Sequence, residues 1–153
     1  MPVLPFYQFE LKDKLNSKPQ CFDSFNFLFL LHGTIRCRNQ LIHLKPHDFT
    51  FFNMYEIHQF LTFSPDARVL SVLIHKSYIQ SAVPELTDMT LNTHAVTPES
   101  EPERYEFFCQ EFGKFIYYHT VHSPGAQLHA LSHLGNLLSY ILNQLSTSSA
   151  STL

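Results

Sequence analysis

Between residues 25 and 75 the chain is a series of short apolar runs broken at close intervals by turn-forming residues. This punctuation limits the possible folds more than any other feature. Residues 25–32 read as a buried strand that stops at Gly33. Residues 34–38 alternate in polarity, Asn39-Gln40 supplies a two-residue turn, and 41–44 resume the strand pattern. Lys45-Pro46-His47-Asp48 marks a second turn before a strand at 49–52. Another strand at 57–63 is followed by Ser64-Pro65-Asp66 and by a last strand at 68–74. Strands this short, joined by turns of this kind, pack as an antiparallel sandwich or barrel. Composition shares the bias, with 15 Phe and 7 Tyr favouring strands and 9 Pro interrupting them. Ahead of this region Pro2, Pro5 and Pro19 keep residues 1–23 from growing a helix, so an extended arm with one strand at 6–11 is expected.

The period changes near Thr97-Pro98. Tyr105, Phe108, Cys109, Phe112, Phe115, Ile116 and His119 recur at helical spacing over 102–119, weakened slightly by Gly113. Glu99, Glu101 and Glu103 sit at its start, where the helix dipole favours carboxylates. Ser123-Pro124 offers an N-cap and a first-turn proline for a second helix. That helix carries Leu128, Leu131, Leu134, Leu138, Ile141, Leu142 and Leu145 on one broad face. The face exceeds what one neighbouring helix needs. Leu131, Leu134, Leu138, Ile141, Leu142 and Leu145 are therefore expected to meet the same helix of a second copy, with burial inside one chain as the alternative. The Ser/Thr run that follows is too polar and flexible to pack, and reads as the start of a linker. Residues 1–97 then form an arm and barrel, 98–146 a helical dimerisation segment, and 147–153 the linker start.

Charge and chemistry narrow the function. A net charge of −3 suits a phosphate backbone poorly, so these residues alone are not expected to bind nucleic acid. Cys21, Cys37 and Cys109 are odd in number and scattered, without a signal peptide, which reads as reduced thiols in a cytoplasmic protein. No run is long enough to span a membrane. His43 and His47 flank a turn, while His129 and His133 share a helix face with His122 nearby but lack a third ligand of fixed position; no metal and no cofactor are expected. No nucleophile elbow or phosphate loop is present, so no catalytic residues are assigned and the chain reads as a non-enzyme. Arg36 and Arg38, two apart on one strand, read as a solvated face before an anion site.

One stretch resembles a known family. Gly33 after the first long strand, the Leu44-x-Pro46-x-Asp48 turn and Glu56-Ile57-His58 followed by Phe60 stand in the order found there. So does the strand from Val69 to Ile74 that leads into Ser77 and Tyr78. Together they resemble the N-terminal regulatory domain of AraC/XylS-family transcription regulators. The resemblance covers roughly residues 5–146, and order and spacing carry it more than any single motif. It implies an α+β, mainly β fold: a cupin-type double-stranded β-helix, or jelly-roll barrel, followed by a pair of α-helices. It also implies a small-molecule effector in the barrel, a homodimer, and DNA binding through a C-terminal helix-turn-helix domain absent from this sequence. The turn written Pro-Gly-Asp in that family is Pro46-His47-Asp48 here, and of the cupin metal motifs only His58 remains.

By alternation Leu28, Leu30 and His32 share a face, as do His58, Phe60 and Thr62, and Leu70, Val72 and Ile74. The resemblance places effector contacts on these strands and on the arm. The matching positions are Leu30, His32, His58, Phe60, Val72 and Ile74, with Tyr55 as a further polar group. The family's effectors are often sugars, but a lining with so few polar groups points to a small apolar or aromatic effector, or to a filled core with no effector. The competing expectation is a standalone cupin-fold metal-binding protein or enzyme.

Overall fold

In the computed structural model, which describes residues 6–37 and 41–148, the punctuated region forms two antiparallel sheets. The expected turn at Asn39-Gln40 and the end of the Ser/Thr run lie outside the described residues. Strands β1 (Tyr7–Lys12), β2 (Ser24–His32), β5 (Phe49–Phe52) and β7 (Arg68–His75) make the larger sheet, ordered β1-β7-β2-β5. Strands β3 (Ile35–Cys37), β4 (Ile42–Leu44) and β6 (Phe60–Phe63) make the smaller one, ordered β4-β3-β6. The chain then runs through α1 (Lys76–Ala82), a 3-10 turn (Pro84–Asp88) and β8 (Met89–Leu91) into α2 (Pro102–Thr120) and α3 (Ala126–Gln144). A short β9 (Ser146–Ser148) returns to pair with β8. Among the described residues no helix is long and apolar enough to cross a membrane.

Alternation along β2 builds two cores. Leu28 and Leu30 turn toward the small sheet and pack with Ile35, Cys37, Ile42, Leu44, Phe52, Phe60 and Val69. Phe25 and Phe27 turn the other way, joining Phe49, Phe51, Val72 and Ile74 beneath Phe108, Phe112 and Phe115 of α2 and the leucines of α3. Edge-to-face rings at 5.5 Å (Phe27 on Phe108) and 5.3 Å (Phe9 on Phe115) tie the sheet to the helix. The result is three layers: small sheet, large sheet, helical pair.

Several expectations change. The sheets do not close into a barrel among the described residues: β3, β4 and β6 are only three or four residues long, and no ladder joins them to the larger sheet. Strand β6 begins at Phe60, with His58 making only an isolated backbone bridge to Gln20. Helix α3 starts two residues after Pro124, because Gly125 takes a left-handed φ of 81° and turns the chain first. Ser146–Ser148 are paired as a strand, although the polar run was expected not to pack.

The leucine face of α3 is also used differently. Leu131, Leu134, Leu138, Ile141 and Leu145 are buried within the single chain, and Leu142 packs partly against the same cluster. A helix lying on both a sheet and a second helix needs a broad apolar face, which accounts for the surplus. Of the six, only Leu142 keeps part of its surface outward.

Candidate functional site

Where the two sheets fail to meet, the seam between β1 and β6 is bridged by the segment 13–20. A cleft of about 300 Å³ opens there, lined by Glu10, Leu11, Lys12, Asp13, Lys14, Leu15, Asn16, Gln20 and Phe60. Local structure fixes its parts. Strand β1 pairs along β7 with Leu11 opposite Leu70 and Lys12 opposite Val69, which carries its last residues to the edge of the sheet. Gln20 is held by reciprocal backbone bonds with His58, its N–H to the His58 carbonyl at 2.8 Å and the His58 N–H to its own carbonyl at 2.9 Å. Leu15 packs down onto the inter-sheet core.

The cleft is polar apart from Leu11, Leu15 and Phe60, and the His58 ring lies near Phe60. The Lys12 ammonium lies 3.8 Å from Glu10 and 5.6 Å above the Phe22 ring. Asp13 faces Arg68 at 3.8 Å. His58, 3% exposed, stacks on Phe52 with centroids 4.4 Å apart and lies 5.3 Å from Phe22. Phe60 is 6.3 Å beyond it.

The seven residues expected to line one pocket divide three ways. Leu30, His58 and Phe60 gather at the inter-sheet core and its mouth, and Phe60 reaches the cleft. Val72 and Ile74 lie on the opposite face of the large sheet, against the helices. Register with β2 decides this: Val72 sits opposite Phe27, whereas Ser71 sits opposite Leu28 and turns inward. His32 is exposed because a register shift between Leu30 and His32 breaks the alternation. Tyr55 is half exposed on a loop, with φ of 63° and the Lys76 ammonium 5.5 Å over its ring.

The sequence reading placed effector contacts on the arm but named none of its charged cleft residues. It also missed a buried polar pair between the sheets, Ser71 Oγ donating to Asn26 Oδ1 at 3.1 Å. Their polarity within apolar runs was the available signal. Among the described residues no three His, Cys, Asp or Glu side chains converge as metal ligands.

Burial pushes the His58 imidazole below its ordinary value of 6.5. The unfolded chain takes up that proton near 6.5, whereas the folded chain does so only at lower pH. Stability is therefore full above 6.5, falls as pH drops toward the folded value, and loses nothing further below it. Urea titrations at about pH 8 and about pH 5.5 should show this loss in the wild type. His58→Phe, which keeps the stacked ring without the titrating group, should flatten it; an equal slope in both proteins would refute the assignment.

No protein-family model matches the chain, and no curated protein does either. Solved structures do match. The AraC-like transcriptional activator CuxR superposes with a TM-score of 0.58 at 8% identity, over 86% of this chain and 46% of its own. Apo ToxT from Vibrio cholerae superposes with a TM-score of 0.52 at 9% identity, over 92% of this chain and 57% of its own. Both are AraC-family regulators. At these identities the likeness is one of fold, and the chain spans about half the length of each protein.

Proposed function

We propose that this chain is the regulatory part of an AraC-type transcription regulator, sensing a small molecule in the seam cleft and passing the signal to a DNA-binding domain that is not in this sequence. One observation carries the reading: 86% of this chain superposes on about half of a transcriptional activator. Electrostatics support it. Helix α2 carries Arg104 and Lys114 as its only Arg or Lys residues and α3 carries none, so neither resembles a helix built to lie in a DNA groove. The cleft supplies more hydrogen-bonding groups than the seven expected residues offered, with Phe60 as a ring to stack against. A hydroxyl-rich effector such as a sugar suits that lining better than an apolar one.

The homodimer implied by the resemblance would use the outer side of α3, where Leu128 is 71% exposed, instead of the buried leucine face. The cytoplasmic location belongs to the same reading, as does a cupin-like arrangement in which the two sheets face each other without closing.

Two measurements test the proposal. The codons after Leu153 should encode two helix-turn-helix units rich in Arg and Lys. Residues 1–153 alone should not retard DNA in a gel, whereas the longer product should. A stop codon at that point, or tight DNA binding by residues 1–153, would contradict it.

A further inference from the structure

The strand pair β8–β9 is joined to the cleft by a continuous set of hydrogen bonds, and Asn53 is its middle link. Asn53 is buried, and its side chain is used at both ends. Nδ2 donates to the Leu86 carbonyl at 3.2 Å and to the Met89 carbonyl at 3.0 Å, which fixes the 3-10 turn and the first residue of β8. Oδ1 accepts from the Met54 N–H at 2.8 Å, and the Asn53 N–H donates to Glu56 Oε1 at 3.1 Å. Glu56 Oε1 also accepts from Thr93 Oγ1, beyond the end of β8. Loop 53–58 is thus clamped to β8 on one side. On the other side it holds residues 20–22 through the Gln20–His58 pair and the Tyr55 N–H to the Phe22 carbonyl. Gln20 lines the seam cleft. At the far end β8 pairs with β9, with Met89 opposite Ser148 and Leu91 opposite Ser146, and the Asn92 N–H donates to the Leu145 carbonyl. Clefts of about 250 Å³ and about 370 Å³ flank this ribbon, which is anchored to the core by Leu91 and to its surroundings by these bonds.

We propose that Asn53 couples the seam cleft to the exit strand β9, so that displacement of the Gln20–His58 bridge by an occupant of the cleft loosens β9, and loosening of β9 loosens the bridge. The proposal rests on the reading that the cleft holds the effector, and it gives that site an output. A ligand-driven change in β9 would reorient whatever chain follows it. Reciprocity is required of any such coupling, because each end must bias the same two-state element.

Amide hydrogen exchange by NMR tests the coupling without any ligand. Thr147→Pro removes an N–H from β9 and blocks its ladder while leaving the core untouched. It should speed exchange at the amides of Gln20, Tyr55 and His58 by tenfold or more, with the β2 amides of Phe27 and Leu28 unchanged. Gln20→Pro, made at the other end, should speed exchange at the Asn92 amide to a similar degree. In an Asn53→Ala background Thr147→Pro should no longer alter the bridge amides. Should Asn53→Ala fail to fold, the first two variants decide the matter alone. The proposal is overturned if each proline speeds exchange only at its own end, or if the β2 amides speed up equally. Loss of coupling would leave sensing in the cleft intact, and a cleft that binds nothing would leave the coupling measurable.

Discussion

Gly33→Ala should destabilise the protein by about 3 kcal/mol or more, lowering the melting temperature by roughly 10 °C. Gly33 has a φ of +83°, a left-handed value that costs an L-residue about 1–2 kcal/mol. A Cβ there would also fall 2.7 Å from the Ala67 Cα and 2.9 Å from the Ala67 nitrogen. Those are backbone atoms, and they cannot rotate away. They belong to the turn that feeds β7, and the same turn holds Thr34 through its N–H to Ser64 Oγ at 2.9 Å. Relief of the clash would move β7, the strand that both β1 and β2 pair with. Gly113→Ala is the control with opposite sign. Nothing lies within 4 Å of its added Cβ in mid-α2, so alanine's helix preference should stabilise by up to about 1 kcal/mol. Thermal melts of the two variants beside wild type check both; a Gly33→Ala protein that melts with the wild type would show that the turn is not constrained as described.

Leu138→Asp should unfold the protein and not merely change its oligomeric state. Leu138 is 2% exposed among the aromatic residues of α2 and the large sheet. Leucine truncation at such a site costs about 2–5 kcal/mol, and an unpaired carboxylate adds several more. A domain of ordinary stability, about 5–15 kcal/mol, does not survive that comfortably. Circular dichroism and sedimentation separate the outcomes. Loss of the cooperative melt is expected. A fully folded monomer from a wild-type dimer would instead mean that the leucine face serves a second subunit.

How far the sequence could be read follows from the residues themselves. Gly33, the turns at 45–48 and 64–66, and the change of period before α2 are local signals, and the elements formed where those signals stood. The two faces of β7 could not be told apart in this way, because Val69, Leu70, Val72, Leu73 and Ile74 are apolar on both sides. Only the register with β2, set by contacts far away in sequence, sends Val72 and Ile74 to the helices. Strands β8 and β9 hold three residues each, too few for a period to show. The cleft was hidden for a different reason. Its polar groups sit on an arm with no period of its own, and only the seam between two unclosed sheets brings them beside Phe60.

The most direct test of sensing in that seam is a thermal-melt screen of small sugars and other hydroxylated compounds, with any hit mapped by NMR on the labelled chain. At about a hundred times its dissociation constant a ligand adds about 2.7 kcal/mol, which is roughly 5–10 °C for a chain of this size. Such a shift is expected, with amide perturbations at residues 10–16, 20 and 60 and loss of the response in Phe60→Ala. A panel with no shift, or a hit whose perturbed amides lie on α2 and α3 and leave the seam unchanged, would contradict sensing there.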